Sequence, residues 1–572
     1  MEGRMTNIID ALAAARAQLL APGAPFELTE CEVGGRPVKI YRNALPSLPT
    51  LIDAGRAHGD KVFVVYQGER WTFTRFFAEV DAVAAALQQH GVGRGNRVAI
   101  AMRNRPEWAV AFAAAALLGA VPAPLNSFGL RGELRTALAD VEPAVLVCDA
   151  ERLERIEGDT GVPGCRIVLV GGQAIDGVLS YEALASRPPE ALQRPALGPD
   201  DPALILFTSG ATSQAKGVLS SQRAVCQALF NIDFIGAISA MTSPQAVAAL
   251  MQSGLAPTTL TAVPLFHVSG LHAQLLSALR NGRRLVFMHR WDPAQALDLI
   301  RDEKITQFNG APSMVAQLLA SPGFDDPAIT GSLGSLGFGG AGLPQPLIRS
   351  VFAARPNGMS GIGFGLTETN GVGAAGSGEL FKYKPRSSGI TSPIIDVRIA
   401  DPDGKPQPPG ESGEIWLRGV TVMQGYWRNP AATGSALVDG WFHTGDIGYL
   451  DDEDFLFIVD RIKDVINRSG EKIAAAEVES CLLEHPSVIE AAVFAVPDEK
   501  SGEAVVAAVV VDAPGAVTSE ALREHVAARL AAYKVPVVVH VRSEALPRNP
   551  AGKLLKADLK RAYGAHVAER ND

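Results

Sequence analysis

From residue 61 onward the chain alternates short β-branched runs with amphipathic stretches of helical period, and this rhythm constrains the fold most. Val62-Phe-Val-Val-Tyr66 reads as a strand and residues 73–90 as a helix stopped by Gly91. Arg97-Val-Ala-Ile-Ala101 is a second strand, residues 106–119 a helix, and Ala144-Val-Leu-Val-Cys148 a third strand. Strands that alternate with helices cross over in one hand and build parallel sheets covered by helices. The rhythm resumes after Asp200. At 572 residues the chain is too long for one ordinary core, so at least two domains are expected.

Three segments depart from the rhythm. Residues 1–45 read as an N-terminal extension. Residues 235–260 are small and apolar with few charges; a buried helix pair and a lid over an apolar channel both fit them. Residues 389–458 carry turn signals, Asp401-Pro-Asp-Gly404 and Pro408-Pro-Gly410, between β-rich runs such as Gly413-Glu-Ile-Trp-Leu-Arg418, which suggests a small barrel or meander. From residue 460 a separate α/β unit is expected, with helices at 476–484 and 519–533 and strands at 491–496 and 504–511.

Composition narrows the function. The hydrophobic fraction is 47% and the charged fraction 20%, typical of a globular protein. A formal net charge of −9 gives no global reason to bind nucleic acid or an anionic membrane, so any polyphosphate site must be locally positive. The five cysteines form no CxxC pair, which argues against zinc or a disulfide framework. No signal peptide opens the chain, residues 109–120 are too short to span a bilayer, and Glu-Arg-Asn-Asp at the end is no peroxisomal address. A cytoplasmic protein without integral membrane contact is expected, its oligomeric state open between monomer and homodimer.

The stretch Leu206-Phe-Thr-Ser-Gly-Ala-Thr-Ser-Gln-Ala-Lys-Gly217 follows an apolar strand and can wrap phosphates: glycine lets N–H groups approach, hydroxyls add donors, and lysine adds charge. It is not the common nucleotide loop. Ala215 stands where that loop has glycine, and Gly217 where it has the metal-binding hydroxyl. Downstream, Gly363-Phe-Gly-Leu-Thr-Glu-Thr369 sets a ring, a hydroxyl and a carboxylate close together; Glu368 offers hard oxygen to Mg2+. Gly339-Gly-Ala-Gly-Leu-Pro344 would let backbone lie against a planar ring, and His443-Thr-Gly-Asp-Ile-Gly448 offers Asp446 to two ribose hydroxyls.

In this order the motifs resemble those of the adenylate-forming superfamily, in its acyl-CoA synthetase and fatty-acid–CoA ligase branch. The resemblance runs from about Ser47 to Lys560. It implies an α/β fold: a large N-terminal domain (residues 1–462) of two doubly wound α/β subdomains plus a small β-barrel, and a small mobile α+β C-terminal domain (463–572). It implies ATP, Mg2+ and coenzyme A as the small molecules bound. Thr208, Ser209, Gly210, Ala211, Thr212 and Lys216 match the loop that grips the β- and γ-phosphates, although Ala211, Ser213 and Ala215 depart from the usual residues. Gly340, Ala341, Gly342, Gly363 and Phe364 match the adenine site, Thr367 the α-phosphate contact, and Glu368 the metal ligand. Asp446 and Arg461 match the ribose contacts, Lys463 the hinge, and Lys553, in Leu546-Pro-Arg-Asn-Pro-Ala-Gly-Lys553, the adenylation lysine.

The reaction so implied is an acid–thiol ligation. A carboxylate attacks the α-phosphorus of ATP, and a thiol then takes the acyl group from the adenylate. Gly470 matches the glycine that lines the pantetheine channel after domain rotation. His267, in Pro264-Leu-Phe-His-Val-Ser-Gly270, matches the gating position; a plain packed histidine fits as well. The family's acyl pocket maps onto Phe230, Phe234, Leu271, Ser313, Gly337, Gly339, Leu366, Asn370 and Val372. These are mostly small or apolar, so a medium or long chain or a bulky apolar acid is expected, not a dicarboxylate or amino acid. No carrier domain follows residue 572, which favours free coenzyme A. The alternatives are a ligase that loads a separate acyl carrier protein, a luciferase-like oxygenase, and a non-catalytic adenylate-binding relative.

Overall fold

The computed structural model describes residues 2–188, 191–208, 215–339, 343–549 and 552–568. Its large N-terminal part rests on two sheets. A five-stranded, all-parallel sheet runs Val121–Pro124, Arg97–Ala101, Val145–Asp149, Arg166–Val170, Leu179–Ser180. A nine-stranded sheet has six parallel strands at its centre, from Gly361–Phe364 through Ser335–Gly339, Gln307–Gly310, Thr258–Thr261 and Arg284–Phe287 to Val62–Tyr66. Antiparallel strands close its edges.

The helix Phe73–Gln89 begins where Thr72 accepts from the Arg75 N–H, and the apolar helix Pro106–Leu117 begins with proline, whose missing N–H costs nothing there. Both helices pack into one core with Phe63, Leu204 and Leu276. Burying a side chain the size of Phe63 or Phe112 contributes about 2–3 kcal/mol.

A five-stranded antiparallel sheet occupies residues 395–461, built on Gly413–Gly419 and Trp441–Leu450. A last five-stranded sheet, centred on Val488–Asp498 and Gly502–Val511, covers residues 466–542. The helix expected over 519–533 is shorter, Ser519–Ala527, with a separate 3-10 turn at Ala532–Lys534.

The N-terminal extension is a structural part of the large domain. Its helix Glu2–Leu20 and hairpin Leu28–Val33/Arg36–Tyr41 pack on the long helix Gln222–Thr242. Tyr41 is locked there on three sides. Its N–H donates to Gln227 Oε1 (2.8 Å), its carbonyl accepts from Gln227 Nε2 (3.0 Å), and its hydroxyl donates to Asn231 Oδ1 (2.8 Å). Phe26 lies 5.1 Å from Phe230 and 5.5 Å from Phe234, ring centre to ring centre.

The helix Gln222–Thr242 is long and apolar enough to cross a membrane, but most of that apolar length is buried in this packing. Residues 235–260 are therefore no buried helix pair: the second helix, Pro244–Gln252, buries none of its side chains.

Candidate active site

The strands Pro202–Thr208 and Lys216–Ser221 form an antiparallel hairpin with Thr208 opposite Lys216, so both flank the mouth of the glycine-rich loop. Ser209, Gly210, Ala211, Thr212 and Ser213 of that loop lie outside the described residues, as do Gly340, Ala341 and Gly342. A third, two-residue strand, Gly425–Tyr426, pairs with the hairpin at Val218 and Leu219.

Tyr426 is the site residue that motif reading missed. Its ring lies under the Lys216 ammonium, 4.8 Å from Nζ to the centroid, and its hydroxyl donates to Glu368 Oε1 at 2.9 Å. The neighbouring Met423 N–H donates to the Glu368 carbonyl at 2.7 Å. Glu368 sits in the 3-10 turn Thr367–Thr369, closed by Asn370 in a left-handed conformation (φ 54°). Burial pushes the Glu368 carboxyl up, against the Tyr426 hydrogen bond and the Arg461 charge. Burial and the Glu368 charge push the Tyr426 phenol up too, which keeps it a donor. The only sequence signal for Tyr426 is an aromatic beside a glycine in a turn-rich stretch.

Among the described residues no three His, Cys, Asp or Glu side chains cluster as a metal cage. One buried carboxylate, Glu368, beside the hairpin that carries Lys216 fits Mg2+ nonetheless, because this cation takes one or two protein carboxylates and fills its shell with phosphate and water.

The Asp446–Arg461 side of the cleft lies on the antiparallel sheet. Asp446 and Arg461 face each other in register on adjacent strands, with Arg461 Nε 3.0 Å from Asp446 Oδ1. Thr444 Oγ1 accepts from the Asp446 N–H at 3.0 Å and fixes the turn. Burial pushes the Asp446 carboxyl up, opposed by Arg461, Lys553 and Lys463.

Lys463 follows in the 3-10 turn Ile462–Asp464. Lys553 arrives from the C-terminal part on a loop held by Asn549, whose side-chain oxygen accepts the Lys553 N–H at 2.9 Å and whose own N–H donates to the Lys553 carbonyl at 2.8 Å. Gly552 has φ +81° and lies so close to Ala311 that a β-carbon would overlap it. Burial, then the charges of Arg461 and Lys463, push the Lys553 ammonium down to about 7.

Asp446, Arg461, Lys463 and Lys553 share one cleft of about 1930 Å³, lined also by Gly363, Phe364, Leu366 and Ser313; Thr208, Lys216, Glu368 and Tyr426 are not among its lining residues. Gly470 is not among them either. It occupies the exposed turn of the hairpin Ile466–Arg468/Glu471–Ile473 with φ +89°. His267 packs against Phe266 with ring centres 4.3 Å apart, and burial pushes its pKa down to about 4, so it is neutral at physiological pH.

The acyl-pocket assignment needs correction. Phe230 and Phe234 belong to the core under the N-terminal hairpin, packed against Phe26 and Tyr41, and neither lines the cleft. Leu271 and Val372 are also core residues, 0% and 3% exposed. Ser313 and Leu366 do line the cleft, no atom of the described residues lies within 4 Å of a β-carbon placed on Gly339, and Gly337 is backed by the Asn309 amide. Asn370 is tied to its neighbours: His272 Nε2 lies 3.1 Å from its Oδ1, and its Nδ2 donates to the Thr421 carbonyl at 2.9 Å.

Comparison with known proteins identifies the family. The AMP-binding enzyme family matches residues 52–427, and the AMP-binding enzyme C-terminal domain matches residues 477–553. The chain is 32% identical over 510 residues to 4-coumarate–CoA ligase 3 of Oryza sativa subsp. japonica, covering 88% of this chain and 89% of that one. It is 33% identical over 506 residues to a feruloyl-CoA synthase of an Amycolatopsis species, covering 88% and 96%. A long-chain-fatty-acid–CoA ligase of Mycobacterium tuberculosis is also 33% identical over 506 residues, covering 87% and 94%. Among solved structures, ATP-bound MatB from Rhodopseudomonas palustris superposes with a TM-score of 0.78 at 28% identity, covering 90% of this chain and 99% of that one. The chain belongs to the AMP-binding enzymes of the adenylate-forming superfamily and is an acid–thiol ligase.

Proposed function

We propose that the protein joins a carboxylic acid with a medium or long apolar chain, or a bulky ring, to coenzyme A through an acyl-adenylate, in the cytoplasm. The observation that carries this reading is Lys553, delivered by the C-terminal part into the cleft that holds the Asp446–Arg461 pair. A small-residue approach at Gly339 and apolar Leu366 support a bulky, uncharged acid. The relatives named for coumarate, ferulate and long-chain fatty acids span that range.

In the first step a carboxylate oxygen attacks the α-phosphorus while its bond to the bridging oxygen breaks and pyrophosphate leaves. Two anions must meet, so positioning and charge neutralisation set the rate and no general base is required. Asp446 accepts the ribose hydroxyls and is itself held by Arg461. Lys216 and Thr208 hold the leaving pyrophosphate, and the Lys553 ammonium bridges acid and α-phosphate. Glu368, fixed by Tyr426, would hold Mg2+, which supplies Lewis-acid charge neutralisation on the phosphates when bound.

In the second step the thiol sulfur attacks the acyl carbonyl, the bond from the carbonyl carbon to the AMP oxygen breaks, and the thiol proton passes to solvent. Lys553 must withdraw first. Rotation of residues 463–572 about Lys463 removes it and brings Gly470 to the channel, which accounts for their separation in the present arrangement. A panel of acids from short to long and aromatic, scored by pyrophosphate release with coenzyme A present, tests the reading. Release with acetate alone, or with none of the acids, would refute it.

A further inference from the structure

One buried carboxylate joins two elements that Lys463 separates along the chain. Asp460 stands near the end of the strand Leu456–Arg461 in the large domain. Ala476 lies in the first turn of the helix Ala475–Leu483, which opens the C-terminal part and packs against that strand. Asp460 Oδ2 accepts the Ala476 N–H at 3.2 Å, and its Oδ1 accepts the Arg461 N–H at 2.8 Å. Asp460 is only 8% exposed.

The helix has no side-chain cap from its own N-cap residue. Ala474 holds that position in extended backbone (φ −71°, ψ 118°) and has no oxygen to offer the first turn. The first N–H groups of a helix need outside acceptors, and an anion there also meets the positive end of the helix dipole. Asp460 supplies both from the far side of Lys463.

Lys556 adds a second tie. Its ammonium lies 2.8 Å from Glu479 of the same helix, and Glu479 Oε1 also accepts the Val493 N–H at 2.7 Å. The Asp460 and Asp464 charges act on this buried ammonium as well. Lys556 follows Lys553 by three residues, so the helix that Asp460 caps is fastened to the segment that brings Lys553 to the cleft. On the large-domain side, the residue next to Asp460 is Arg461, which holds Asp446 at 3.0 Å. When residues 463–572 turn about Lys463, Ala476 and Lys556 move with them and Asp460 stays behind.

We propose that Asp460 is a positioning residue: by capping the helix Ala475–Leu483 across the hinge, it holds the arrangement in which Lys553 reaches the cleft and so favours the first step over the second. This rests on the reading of the protein as a two-step ligase and names what sets the balance between its two arrangements.

The test uses the full chain and an acid that the panel shows to be accepted. Adenylation is read as acid-dependent pyrophosphate exchange, and the second step as acyl-CoA formed from supplied acyl-adenylate and coenzyme A. In Asp460→Ala the first should slow about tenfold, the effect of losing one hydrogen bond to a charged group, while the second is unchanged or faster. Ala474→Ser gives the helix a cap from within its own domain. Added to Asp460→Ala, it should raise the denaturant midpoint toward wild type without restoring adenylation, because a local cap moves with the helix and ties nothing across the hinge. Equal loss of both half-reactions, adenylation within about twofold of wild type, or adenylation restored by Ala474→Ser overturns the proposal and leaves the ligase reading standing. If the added serine leaves the midpoint unmoved, the contrast between the two half-reactions in Asp460→Ala decides. If Asp460→Ala does not fold, amide exchange at Ala476 in the wild-type protein decides. Its protection should be higher with ATP and Mg2+ than with coenzyme A and a non-reactive acyl-adenylate analogue, and equal protection overturns the proposal. A wild-type enzyme that forms no acyl-adenylate with any acid overturns both.

Discussion

In the proposed mechanism Lys553 makes the adenylation step sensitive to pH near neutrality. Its ammonium is pushed down to about 7 by burial and by Arg461 and Lys463, yet the proposed first step uses it charged. The sign is fixed: the useful form exists below the pKa and is lost as pH rises. With a pKa near 7, about half of the free enzyme carries the charge at pH 7, about a tenth at pH 8 and about a hundredth at pH 9. Since kcat/KM reports the free enzyme, kcat/KM for ATP in acid-dependent pyrophosphate exchange should bend downward near pH 7 and fall about tenfold per unit above pH 8. At saturating ATP the phosphates beside Lys553 favour its charged form, so the bend in kcat should lie at higher pH.

Lys463 faces the same cleft and is also pushed down, by burial first, so the profile must be repeated in Lys553→Arg, whose guanidinium stays charged throughout. Loss of the bend in that variant assigns it to Lys553. A kcat/KM profile flat from pH 6.5 to 9, or a bend that survives in Lys553→Arg, would refute the reasoning.

Other outcomes follow from single contacts. Tyr426→Phe keeps the ring under Lys216 and deletes one hydrogen bond to a carboxylate, worth about 1.5 kcal/mol, so adenylation should slow about tenfold with a weaker response to Mg2+; an unchanged Mg2+ titration would count against the positioning role. Gly470→Trp should spare pyrophosphate release in a single turnover and block thioester formation, and unchanged overall turnover would remove Gly470 from the channel. Phe26→Ala removes the ring packed on Tyr41, Phe230 and Phe234 and should cost about 3 kcal/mol in denaturant unfolding of the large domain. A midpoint equal to wild type would show that the extension is not part of this core.

The parts of the site that short motifs encode are legible in the amino-acid order alone. Asp446 and Arg461 pair because two strands place them in register, and both residues stand in compact sequence motifs. The strand–helix rhythm likewise announces the parallel sheets, since periodicity is local. What is illegible depends on partners distant in sequence. Phe230 and Phe234 are apolar on a helix, and nothing local says which apolar surface will cover them; Tyr41, about 190 residues earlier, decides it through Gln227 and Asn231. Tyr426 stands in a two-residue strand, too short for any periodic signal, and meets Lys216 and Glu368 only when that strand joins the hairpin carrying Lys216. The turn Leu271–Leu276 is π-helical, a change of helical register that hydrophobic periodicity does not signal.

The central claim is that one cleft performs two chemically distinct steps in a fixed order, adenylate first and thioester second. Rapid-quench analysis of a single turnover tests it most directly. Enzyme is mixed with ATP, Mg2+ and an accepted acid, then chased with coenzyme A. One equivalent each of pyrophosphate and enzyme-bound acyl-AMP is expected before the chase, with AMP and acyl-CoA appearing together after it. Formation of ADP and phosphate, or of thioester without prior acyl-AMP, would contradict it.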